Sequence, residues 1–163
     1  MNEYGTGSGT KKLFTHSLAT CVRVAIVGTY PAGRSGDDRF LAHIPDVKPR
    51  AALQGLINSV NAAKRNGMVI DKARVVVGDF HENSGHDSDD PVMKAKEEGQ
   101  DGFCQIVGSS IMALVGDSTK VKRKTHAEKK PYHLEITGAK EIKFKLEGGN
   151  HWEDSDTESE SEG

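Results

Sequence analysis

Apolar residues along this chain follow two periods. At 22–29, VRVAIVGT, the run is β-branched and almost uninterrupted, the pattern of a strand covered on both faces. At 39–45, RFLAHIP, the residues Phe40, Ala42 and Ile44 alternate with Leu41 and His43, and Pro45 stops this second strand. At 49–67 the period lengthens. Leu53, Leu56, Ile57, Val60 and Ala63 trace one face of a helix, with Pro49 near its start and Gly67 as its stop. ARVVVGDF, 73–80, is another buried strand.

Residues 91–99 predict a short helix ended by Gly99. The stretch 103–116 fits helix or strand, and the spacing of Cys104, Val107, Ile111 and Leu114 favours helix. PYHLEITGAKEIKFKL alternates on either side of Thr137, Gly138 and Ala139, which predicts a hairpin. A shorter strand, KKLFTHS, leads to Cys21. The order of elements is β-β-α-β-α-β-β, so the fold class expected is α+β. Layered, sandwich-like β-sheets are covered by helices, with a long helix after the second core strand.

Polar composition sets the limits of this domain at 12–149. Residues 1–11 are rich in Gly, Ser and Thr and predict a disordered segment, and 150–163 predict an acidic disordered tail. The last 14 residues hold six carboxylates and no Lys or Arg, so the net charge of -2 conceals a body of about +4. Much of that excess lies at 120–145, where nine Lys or Arg face three Glu. Only Tyr132 and Phe144 lie among them, so a solvated basic face is favoured over a nucleic-acid surface, and no nucleic-acid partner is expected.

Two cysteines far apart make no disulfide framework, which points to a reducing compartment. There is no charged segment leading into an apolar one, and no apolar run approaches the roughly 18 residues of a membrane span. The expectation is a soluble cytoplasmic protein without membrane insertion.

Candidate chemistry centres on Cys21. It follows small polar residues and precedes the first core strand, a place that suits either a core thiol or a nucleophile at a partly open strand mouth. If 22–29 and 39–45 are antiparallel neighbours, their far ends meet, and His43 comes beside Cys21 without further assumption. A thiol and an imidazole so placed form the start of a cysteine hydrolase, which also needs a third group to hold the base. Cys104 sits in an apolar helical pattern with no base nearby in the chain and reads as core. His81 and His86, in a polar loop, have a spacing that could share a metal, but the loop's composition favours plain solvation, and no metal site is expected.

The frame T-H-S-L-A-T-C-V, 15–22, followed by L-A-H-I-P, 41–45, resembles the CheD family of chemoreceptor glutamine deamidases. The helix PRAALQGLINSVNAAKRNG, the strand RVVVGDF and the hairpin HLEITGAKEIKFKL extend the resemblance over roughly 12–147. The cytotoxic necrotising factor and bacterial lethal factor deamidases, more distant relatives of that family, have the same Thr, Cys, His arrangement. The resemblance implies a CheD-like fold and a protein-glutamine deamidase that needs neither metal nor organic cofactor. Cys21 would be the nucleophile, His43 the base, and Thr15 the group that orients His43 through its hydroxyl or carbonyl. Backbone N–H groups of Thr20 and Cys21 would hold the oxyanion, and the partner would be a protein bearing a target glutamine. Transglutamination uses the same thioester. Two further readings stand beside this one: a non-catalytic binding module on the same fold, and a nucleic-acid-associated protein using 120–145.

Overall fold

The computed structural model describes residues 4–15, 21–45, 49–79, 91–127, 132–146 and 152–154. The elements run β1 (Tyr4–Gly7), β2 (Leu13–Thr15), β3 (Val22–Thr29), β4 (Arg39–Ile44), α1 (Arg50–Arg65), β5 (Val69–Asp79), α2 (Pro91–Val115), β6 (Val121–Ala127), β7 (Tyr132–Ile136), β8 (Ile142–Leu146) and β9 (Trp152–Asp154). The strands form two sheets. One has five strands in the order β1-β4-β3-β5-β6, antiparallel except for the parallel β5–β6 pair. The other is antiparallel, in the order β2-β7-β8-β9. The fold class is mixed α+β.

Strand alternation sorts the core into two layers. Val22, Val24 and Ile26 of β3, with Phe40, Ala42 and Ile44 of β4, pack against Ala52, Leu56 and Val60 of α1 and Cys104, Val107 and Ile111 of α2. The intervening residues Ala25, Val27 and Leu41, with Val76 of β5, pack against Leu13, Leu134, Ile136, Ile142 and Phe144 of the second sheet. Both faces of β3 are therefore covered, which is why VRVAIVG shows no alternation. Leu56 and Val60 are fully buried, each gaining roughly 1.5–3 kcal/mol of transfer free energy.

Several expectations hold. β3 and β4 are antiparallel neighbours, and α1 packs on them. Pro49 immediately precedes α1, and Gly67 follows it with φ of 99°, a left-handed stop. β7 and β8 form the expected hairpin.

Others are corrected. Tyr4–Gly7, placed in a disordered segment, form a strand on the outer side of β4. Its stability comes from ladder hydrogen bonds and from the Tyr4 ring, which lies so close over Gly55 that a Cβ there would sit 2.4 Å from it. The two expected helices at 91–116 are one, α2, because an exposed Gly99 costs only about 1 kcal/mol relative to alanine and does not interrupt the backbone ladder. β6 is a strand where no element was expected, with Lys122 and Arg123 exposed. Trp152–Asp154, counted with the acidic tail, pair with β8. The strand before Cys21 belongs to the second sheet. Residues 81–90, expected as a polar loop with His81 and His86, lie outside the described residues. Among the described residues no helix is long and apolar enough to cross a membrane.

Candidate functional site

The register of β3 on β4 sets Val22 opposite Ile44 and Arg23 opposite His43. Cys21 is the residue immediately before β3. Alternation puts Cys21, Arg23 and His43 on the face shared with Ala25, Val27 and Leu41, which is turned towards the second sheet. Arg23 and His43 are directly opposite. Cys21 is diagonal to His43, and diagonal pairs in such a ladder are about 7–8 Å apart. The expected meeting of strand ends is present.

What sits across from this face is set by Arg39, at the other end of β4. Its guanidinium donates to Lys11 O at 2.9 Å, Thr137 O at 3.2 Å, Gly138 O at 3.1 Å and Gly9 O at 2.6 Å, and pairs with Asp38 Oδ1 at 2.9 Å. These bonds pin residues 9–11 and the 137–138 turn over the start of β4. Two residues on, Leu41 and Leu13 share the inter-sheet core. Two more residues along each strand reach His43 and Thr15. Thr15 thus lies at the same end of the sandwich as His43, on the opposite sheet.

Its polar atoms nevertheless point elsewhere. Thr15 Oγ1 lies 3.4 Å from Leu134 O, to which it donates, and Thr15 O is 3.3 Å from His133 Nδ1. The carbonyl of a strand residue lies in the plane of its own sheet, so it addresses β7 and not the facing sheet. His133, which Thr15 O meets, stacks its ring on Phe14 with centroids 5.3 Å apart. Thr20, the other expected oxyanion donor, lies outside the described residues.

Burial also differs from the expected open strand mouth. Cys21 is 3 % exposed. His43 is partly buried, with Nε2 sealed from solvent. Cys104 is buried in the helix-side core, as a structural thiol would be. The two cysteines are not joined in a disulfide.

Sequence reasoning missed Arg23. It is 0 % exposed, two residues from Cys21 and opposite His43. A guanidinium taken out of water is costly unless it is engaged, so its presence here marks this end of the layer as polar. The signal was available as a single charge inside an apolar run, V-R-V-A-I-V-G. Arg74, the third buried arginine of this face beside Arg23 and Arg39, donates to Ala73 O at 2.8 Å and Lys120 O at 3.3 Å. Among the described residues no group of three or more His, Cys, Asp or Glu could hold a metal ion.

No family model, no curated protein and no solved structure matches this chain.

Proposed function

We propose that the chain is a cytoplasmic protein-glutamine deamidase of CheD-like type, working through a thioester on Cys21. The observation that carries this reading is the β3–β4 register, which sets Arg23 opposite His43 and so brings Cys21, two residues before Arg23, to the same strand end. The resemblance of T-H-S-L-A-T-C-V and L-A-H-I-P to that family supports it independently.

In this reading His43 takes the thiol proton, and Cys21 Sγ attacks the carboxamide carbon of a substrate glutamine. The Cys21 backbone N–H faces the developing oxyanion. The C–N bond breaks, and ammonia leaves with the proton returned by His43. Water, deprotonated by His43, then attacks the thioester. The C–S bond breaks, leaving glutamate on the partner and the thiol restored. An amine in place of water would give transglutamination by the same steps. Arg23 acts without touching the substrate: a guanidinium on the same strand face favours the thiolate over the thiol. No cofactor takes part.

The burial of Cys21 favours one alternative, a binding module that keeps the thiol as packing. Labelling of the folded protein with a glutamine-mimicking diazoketone, followed by peptide mass mapping, separates the two. The deamidase reading expects label on Cys21, none on Cys104, and loss of labelling in His43→Ala. Incubation with glutamine-bearing proteins is then expected to produce the mass gain of amide-to-acid conversion, absent with Cys21→Ala. A Cys21 that stays inert until the protein is unfolded would leave the binding module as the answer.

A further inference from the structure

β6 is an edge strand. β5 pairs along one side of it, and no described strand pairs along the other. An uncovered edge offers a row of backbone donors and acceptors at strand spacing. On the helix side of this edge a groove of about 600 Å³ opens between α2 and the sheet, lined by Val75, Val121, Met112, Gly108, Gln105 and Arg123. Met112 is left 40 % exposed there. Gly108 deepens the groove, since a Cβ at that position would meet nothing within 4 Å. On the strand itself Lys122 and Arg123 are exposed, and alternation points them to opposite faces of the sheet. Lys124 is already committed, with Nζ 4.5 Å from the centre of the Phe144 ring.

Lysines on an edge strand commonly do no more than prevent edge-to-edge association. That role accounts for the charge but not for the apolar groove beside it. Three features coincide on one strand: open ladder groups, an apolar hollow, and a cation on each face. We infer that the β6 edge docks an extended acidic peptide segment of a partner protein, added to the sheet as a further strand. An apolar side chain of that segment sits in the groove over Gly108 and beside Met112, and carboxylates meet Arg123 on the groove face and Lys122 on the other. Backbone bonds supply affinity in this mode, and alternate side chains supply selectivity. A nucleic-acid backbone would use the cations alone, and V-K-R-K-T-H-A has no Phe, Tyr or Trp on which a base could stack. The inference does not depend on the chemistry at Cys21.

The test is fluorescence anisotropy of the full chain with a labelled, capped Glu-Val-Glu-Leu-Glu-Val-Glu peptide. Saturable binding that weakens with salt is expected. Gly108→Leu, which fills the groove at a helical position with open space, is expected to weaken binding about tenfold while circular dichroism shows the fold intact. Reversal of Lys122 and Arg123 to Glu is expected to weaken it at least as much and to transfer preference to the Lys-Val-Lys-Leu-Lys-Val-Lys peptide. Two peptides N-methylated at alternate residues of opposite parity are the ladder test: one must lose binding and the other keep it, because an added strand uses one edge. The inference is overturned by no binding, by equal binding of both methylated peptides, by a Gly108→Leu variant of unchanged affinity, or by an oligonucleotide that binds this face and displaces the peptide.

Discussion

Arg39 and Arg23 lie at opposite ends of the same inter-sheet layer, both essentially out of contact with water. Their surroundings differ in kind. Arg39 has four backbone carbonyls and Asp38 within hydrogen-bond distance, and Lys140 Nζ stands 3.5 Å from the second Asp38 oxygen. At its end the chain also closes tightly: a Cβ on Gly138 would lie 2.9 Å from Thr10 O. Arg23 stands directly opposite the His43 imidazole, two residues after Cys21. A buried charge surrounded by main-chain acceptors acts as a clamp, and its removal strands every acceptor. A buried charge among titratable side chains also changes their protonation, so its removal shifts reactivity as well as stability. The same residue type thus serves architecture at one end and, on the proposed reading, chemistry at the other.

The largest expected effect comes from breaking the clamp. Arg39→Met leaves the carbonyls of Gly9, Lys11, Thr137 and Gly138 and the Asp38 carboxylate without their shared donor, and is expected to cost about 3–5 kcal/mol in urea denaturation. Labelling of Cys21 per folded molecule is expected to stay unchanged.

Arg23→Met is expected to differ in what it does to the thiol. Some loss of stability is expected as well, since the guanidinium is buried and engaged, and removing one member of a buried charge set leaves its partners uncompensated. The iodoacetamide rate of Cys21 near pH 6.5 is expected to fall about tenfold, the equivalent of roughly 1.4 kcal/mol, with partial recovery in Arg23→Lys. An Arg23→Met protein that loses as much stability as Arg39→Met, with an unaltered thiol rate, would erase the distinction and make Arg23 a second clamp.

His43→Gln sharpens the comparison within the Arg23 end. It removes the base but keeps a polar side chain of similar size on the strand. A loss of the pH 6.5 rate advantage of Cys21 over Cys104, with retained fold, is expected. If the advantage survives, the guanidinium alone activates the thiol.

The two ends were unequally legible in the sequence. The β3–β4 pairing, α1 and the hairpin could be read because their apolar periods are strong, and Cys21 and His43 followed from the pairing. Arg23 left a signal, one charge in an apolar run, but that signal alone does not say whether the charge is buried. Arg39 was hidden for another reason: its acceptors, Gly9, Lys11, Thr137 and Gly138, are main-chain atoms far apart in the chain. β6 was missed because V-K-R-K-T-H-A carries its charge on an edge strand, where only one ladder holds it. Thr15 was placed at the correct end, yet the direction of a strand carbonyl depends on which sheet the strand joins, and nothing in KKLFTHS reports that.

The smallest effect probes the clamp end from its margin. Tyr30 follows β3, and its hydroxyl donates to Asp37 O at 2.9 Å beside the Asp38–Arg39 pair. Desolvation first, opposed by a bond with Asn66 and aided by the charges of Asp37 and Asp38, holds its phenol above the ordinary 10.0. Because the folded value is the higher one, the contribution of this residue is intact below pH 10. It declines as pH rises from there through the folded value, where the unfolded chain releases the proton first. Ultraviolet titration is therefore expected to show a phenol ionising later than free tyrosine, and that transition is expected to be absent in Tyr30→Phe. At neutral pH the same substitution removes the exposed hydrogen bonds of the hydroxyl with Asp37 O and Asn66 and is expected to move the urea midpoint only slightly, with no change in the Cys21 rate. A Tyr30→Phe protein that altered Cys21 labelling would show the two ends to be coupled through β3, against the separation drawn from Arg39 and Arg23.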